Sequence, residues 1–248
     1  MDCSSLCQAL LSMQTAALPR HGIVHVSLHV GWAIVLAALA LRINGVPWRL
    51  RRALGGLLAA WTLMPGSMSP AYWLGLAFQA PSLTLIVVAG ISLYVTARRP
   101  PRHEGAAALH ATATGVLEAG NNSSANDQAM GEPFRLAVTG RAIEITGLVG
   151  IVLGWLLLLD TFALLPFALY ATGFSAAAVA VAALLVLLPW LVVGAREGGA
   201  TVALAGVLVL TLFVVTRLPT GNLWDALLDP LLWLALQISW LGRLLKRT

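Results

Sequence analysis

No Asp, Glu, Lys or Arg occurs anywhere in residues 53–97. Arg49, Arg51 and Arg52 stand just before this run, and Arg98, Arg99 and Arg102 stand just after it. As one straight helix it would be roughly 67 Å long, about twice the hydrocarbon thickness of a bilayer. The run must therefore fold back on itself. Its one dense cluster of chain-breaking residues is Pro65-Gly66-Ser67-Met68-Ser69-Pro70, which predicts the turn. The resulting hairpin has arginines at both feet. Lys and Arg are retained on the cytoplasmic side, so the feet are cytoplasmic and the turn faces outward.

Composition agrees with a membrane setting. The chain is 59% hydrophobic and 10% charged, against about 25% charged in soluble domains. Too few polar groups remain to cover a soluble surface. The sequence pI is near 10.0, but the basic residues flank apolar runs rather than clustering on a polar domain, which excludes nucleic acid as a partner. The partner that composition names is the lipid bilayer. Two cysteines, Cys3 and Cys7, make no disulfide framework. No Lys or Arg precedes Arg20, so no secretory signal peptide is expected.

Taken in order, the chain predicts an all-α, polytopic integral membrane helix bundle of about seven spans. Residues 1–22 form an outer lead. Residues 23–97 form a three-span unit, with spans at 23–41, 53–64 and 71–97. Pro81 breaks or kinks the third, so 65–81 reads equally as a re-entrant or an interfacial segment. Residues 98–141 form a polar, partly disordered cytoplasmic loop. Residues 142–248 form a four-span unit, with spans at 142–170, 174–195, 200–216 and 223–241 and a basic tail. On this layout all Lys and Arg fall inside except Arg20 and Arg217. That places the N-terminus outside, the C-terminus in the cytoplasm and the protein in the inner membrane. Gly150 and Gly154 form a small-xxx-small pair that lets another helix approach closely.

The reactive side chains collect on the outer side. His21, His25 and His29 stand four residues apart, so they form one gently drifting stripe on a helix. Such histidines can share a metal or hold a haem edge-on, or they can hydrogen-bond a neighbouring helix. Met64, Met68, Cys3 and Cys7 are soft sulfur donors suited to copper, although methionine is also an ordinary gap-filler. Asp160 sits among leucines, where a bare carboxylate is costly. It is expected to meet a histidine, Arg217, a bound cation or outer water. With Asp225 and Asp229 it could mark an ion or proton path. The alternative for those two is a capped helix start. No catalytic residue stands out: there is no Gly-x-Ser-x-Gly elbow, no phosphate loop and no haem-attachment motif.

His25-Val26-Ser27-Leu28-His29, an apolar run, Asn44-Gly45-Val46-Pro47 and Arg49-Leu50-Arg51-Arg52 together resemble the membrane assembly factors of caa3-type haem–copper oxidases. The likeness covers about thirty residues, and Val26 stands where that family has a methionine. It implies copper delivery or oxidase biogenesis and carries over His25 and His29 alone. The functional expectation is a copper or haem site near the outer face of a protein that builds, or belongs to, a respiratory complex. A small transporter or channel, and a structural subunit packed on a membrane-protein partner, are the alternatives.

Overall fold

The computed structural model describes residues 21–43, 45–98, 141–193 and 199–245. The outer lead with Cys3 and Cys7, most of the polar loop and the last three residues lie outside the described residues. Among the described residues every regular element is helical. The first half holds α1 (His21–Leu41), α2 (Trp48–Thr62), α3 (Pro70–Phe78) and α4 (Leu83–Arg98). The second half holds α5 (Arg141–Thr161), α6 (Leu169–Thr172), α7 (Ala176–Val193), α8 (Gly199–Thr216), α9 (Leu223–Leu227) and α10 (Pro230–Leu245). Helices α1, α5 and α8 are long and apolar enough to cross a membrane, and α4, α7 and α10 are shorter apolar helices. Large apolar side chains such as Leu184, Leu204, Val215 and Ile238 stand exposed on these helices. Water would not tolerate so much exposed apolar surface, whereas lipid does. The chain is a multi-pass membrane protein.

Helix α1 packs on α2, α3 and α4; α4 packs on α8 and α9; α8 packs on α7 and α5; and α5 packs on α7 and α10. In lipid the hydrophobic effect does not pull helices together, so close packing must. The buried positions accordingly favour small residues, among them Ala33, Ala38, Ala40, Ala89, Ala178, Ala182 and Ala203. Around them sit two clusters. One joins α1, α3 and α4 around Trp32, Val35 and Ala71. The other joins α4, α7, α8 and α9 around Phe213, Val209, Leu223 and Trp224. The Gly150 and Gly154 pair receives α10. A Cβ on Gly154 would stand 2.2 Å from Trp233, and one on Gly150 would stand 2.9 Å from Leu236. Trp233 Nε1 donates to the Ile151 carbonyl at 3.2 Å, which fixes the indole in that notch.

Four expected spans have different limits in the structure, each for a local reason. The second helix starts at Trp48 rather than at residue 53, so Arg49, Arg51 and Arg52 belong to it. The expected third span is two helices, because Gln79 has φ 62° and Pro81 cannot donate a helical N–H. The fourth ends at Thr161, nine residues earlier than expected, where Ala163 turns to φ 55° and Pro166 follows. The last is interrupted at extended Leu228 and restarts at Pro230. Four helix starts at these corners carry side-chain caps. Ser69 Oγ accepts from Ala71 N, Ser82 Oγ from Leu85 N, Asn222 Oδ1 from Trp224 N and Asp229 Oδ1 from Leu232 N. These corners all lie at the end of the bundle where α1 begins.

Candidate functional site

The first turns of α1 carry the histidine stripe as a column of stacked rings. His21 and His25 lie 6.2 Å apart between centroids, and His25 and His29 lie 5.3 Å apart. His21 and His25 are exposed, whereas His29 is buried. The His29 Nδ1 lies 2.9 Å from the Thr62 carbonyl oxygen. A carbonyl only accepts, so Nδ1 is the donor of this bond. Ser69 Oγ donates to the same carbonyl at 2.8 Å and lies 3.4 Å from Nδ1. Thr62 and Ser69 are the two ends of the turn that holds Met64 and Met68. His29 therefore does what a packing histidine does: it pins the neighbouring helix, and with it the turn that follows.

The upper two rings face a cleft of about 270 Å³. Its walls are His21, Val24, His25 and Leu28 of α1, Gly75 of α3, Gln79 and Ala80 of the break, and Pro219 and Thr220 of the turn after α8. Pockets for drug-sized molecules run from about 300 to 1,000 Å³, so this cleft suits an ion or a small solute better than a macrocycle. Gln79 combines φ 62° with ψ −157°, a conformation that is nearly confined to glycine. Its carbonyl accepts from Trp32 Nε1 at 3.0 Å, and Trp32 is only 2% exposed. A strained residue held in place by a buried tryptophan forms one wall of the cleft.

The three aspartates do not form one cluster. Asp160 Oδ2 accepts the backbone N–H of Tyr170 at 2.7 Å, rather than a bond from a histidine or from Arg217. Arg217 instead lies over the Phe213 ring at 5.3 Å. Asp225 Oδ2 accepts from the Tyr170 hydroxyl at 2.8 Å and from Thr220 Oγ1. Tyr170 thus bridges Asp160 and Asp225. Partial burial, and then the neighbouring Asp225 carboxylate, push its phenol up to about 12. Asp229 is buried and caps α10. Its second oxygen accepts from Ser82 N at 2.7 Å, at the start of α4. The Thr84 hydroxyl lies 3.4 Å from the Ala226 carbonyl beside it. The break between α3 and α4 and the break between α9 and α10 therefore meet at one carboxylate.

Of the expected ligands, the structure gathers His21, His25 and His29. Met64 and Met68 are on the adjacent turn with exposed side chains. Cys3 and Cys7 lie outside the described residues. Among the described residues no group of three or more His, Cys, Asp or Glu could hold a metal ion. The stacked rings stand side by side and do not converge on a point. A four-ligand tetrahedral site is therefore not built from them. Sequence reading missed Gln79, Trp32, Thr62, Ser69, Ser82, Thr220 and Tyr170. Pro81 was the one local sign that the chain opens near Gln79 and Ser82. No family model matches the chain, and no curated protein or solved structure matches it.

Proposed function

We propose that this chain is an inner-membrane protein that holds copper at the outer face, between the His21 and His25 imidazoles, and serves the assembly of a respiratory complex or belongs to one. It crosses the membrane seven times, with its N-terminus outside and its C-terminus in the cytoplasm. The observation that carries the reading is the column itself: two exposed imidazoles open onto a cleft, and the third is tied to Thr62 and holds the turn bearing Met64 and Met68. Cys3 and Cys7 of the outer lead, and the thioethers of that turn, supply the remaining soft donors. The likeness of residues 25–52 to oxidase assembly factors supports the biogenesis role. The protein works as a carrier or subunit with a membrane-protein partner and catalyses nothing alone. Purified in detergent and loaded with Cu(I), it retains about one copper ion. His21→Ala/His25→Ala retains less than about a tenth as much at the same free copper. Copper retention equal to wild type in the double variant overturns the assignment.

One observation favours a second reading, a small transporter. Two interrupted helix pairs meet at a buried carboxylate, and interrupted helices at a contact between two halves are how many carriers build a solute path. Asp160 and Asp225, joined through Tyr170, would continue that path outward. In proteoliposomes this reading requires cation or proton flux that Asp160→Asn abolishes. Flux equal to that of empty liposomes removes it.

A further inference from the structure

Helix α10 packs chiefly on α5, with Trp233 and Leu236 set against Gly154 and Gly150. A second row, Leu234, Gln237, Leu241 and Leu244, runs along the same helix about a quarter-turn away. Its spacing is three, four, three. At about 100° per residue the four positions fall within about 80° of one another around the axis. That is the spacing of a seam between two helices that wind around each other. Leu234, Leu241 and Leu244 are exposed, so among the described residues no helix covers the seam.

Lipid alone would cover three leucines, but it cannot serve Gln237. This residue lies between Pro230 and Arg243, roughly 10 Å along the helix from either. Its side chain has two methylenes and cannot snorkel to the membrane surface as a lysine or arginine does. Gln237 is half-buried at the edge of the bundle, and among the described residues nothing hydrogen-bonds its carboxamide. Hydroxyls elsewhere in the helices show the contrast. Thr146, Thr211 and Thr216 each donate to a carbonyl one turn back on their own helix. A glutamine in hydrocarbon without such an outlet is costly until another chain supplies its partner.

The chemistry of the group says which chain. A primary carboxamide is donor and acceptor at once. Two copies related by a two-fold axis along the membrane normal bring like residues together, and two glutamines there exchange reciprocal N–H···O=C bonds. A charged residue on the seam would need the opposite charge; Gln237 needs only itself. One polar residue among leucines also sets the register, because any slip along the seam parts the pair.

We propose that a second copy of this chain docks on α10, with Leu234, Leu241 and Leu244 packed around a reciprocal pair of Gln237 carboxamides. This interface does not depend on the copper site. The test is association of the full chain in lipid vesicles, using single cysteines in a Cys3→Ser/Cys7→Ser background. With diamide, Leu241→Cys forms a covalent dimer. Ser239→Cys, about 160° away around the helix, forms at least about fivefold less. Förster transfer between copies labelled at Gly45→Cys, diluted with lipid, gives the dissociation constant, and Gln237→Leu raises it by about tenfold. That change removes an unpaired amide from the monomer, so the thermal midpoint of Gln237→Leu does not fall. Wild-type association in Gln237→Leu overturns the proposal. So does equal cross-linking at the two cysteines, and so does a wild type that stays monomeric in vesicles, as it would if Gln237 served a different membrane protein.

Discussion

Asp229→Ala lowers the stability of the detergent-solubilised protein by about 3–5 kcal/mol, the combined cost of two charge-assisted bonds and of buried donors left without acceptors. The carboxylate is 8% exposed. Its two oxygens serve Ser82 N and Leu232 N, each at 2.7 Å, across 147 residues of sequence in the first case. It also sits at the positive end of α10, where a negative charge is favoured. Removing it leaves one buried and one part-buried N–H group unpaired and uncaps a helix at once. Asp229→Asn keeps one acceptor oxygen and therefore costs roughly half as much. Because Asp229 anchors Ser82, and Gln79 and Ala80 form a wall of the cleft three and two residues earlier, the Ala variant also loosens the cleft. Denaturant or thermal unfolding of the two variants beside wild type measures the effect. An Asp229→Ala midpoint equal to wild type would show that the two helix breaks are not joined through this carboxylate.

Gly173→Ala is the second large effect, at about 2–4 kcal/mol, since one added methyl group meets buried polar atoms with no room to move. An ideal Cβ at Gly173 would lie 1.9 Å from Asn222 Oδ1 and 2.6 Å from Trp224 Cδ1. Asn222 is fully buried, and both ends of its amide are bonded. Its Oδ1 accepts from Trp224 N, and its Nδ2 donates to the Tyr170 carbonyl at 2.9 Å. The Gly173 carbonyl accepts from Leu223 N at 3.0 Å, and Trp224 Nε1 donates to the Leu169 carbonyl at 3.1 Å. Three bonds thus tie the α6 corner to the α9 corner, and the methyl group falls among them. Gly173 has φ −61°, so steric fit alone, not backbone freedom, demands glycine. Unfolding measurements on Gly173→Ala and on Gly56→Ala, where a Cβ meets open space, separate the two. Equal losses would refute the interlock.

What was readable in the sequence was local and periodic. The turn between Thr62 and Ser69 followed from its prolines and glycine, the histidine column from its four-residue spacing, and the helix-start role of Asp229 from its position before an apolar run. Gly150 and Gly154 signalled a close neighbour without naming Trp233. The arginines of α2 were placed outside the helix because an apolar window ends at the first charge, whereas a helix continues through arginines that can reach the membrane surface. Tertiary pairing was not readable. Nothing near Asp160 in sequence shows that its partner is the backbone of Tyr170, because the intervening turn bends the chain back. Nothing near Gln79 shows that Trp32, 47 residues away, holds its carbonyl. Such contacts are set by which helices meet, and a single chain without internal repeats does not encode that in any short window.

The sided layout is what the copper reading depends on, and cysteine labelling tests it most directly. In a Cys3→Ser/Cys7→Ser background, Met68→Cys puts a thiol on the turn beside His29, where the native side chain is 76% exposed. Gly45→Cys puts one on the turn between α1 and α2, where a side chain meets open space. A membrane-impermeant maleimide applied to intact cells should label Met68→Cys fully and reach Gly45→Cys only after the membrane is opened. The reverse pattern would place the histidine column in the cytoplasm and contradict the account.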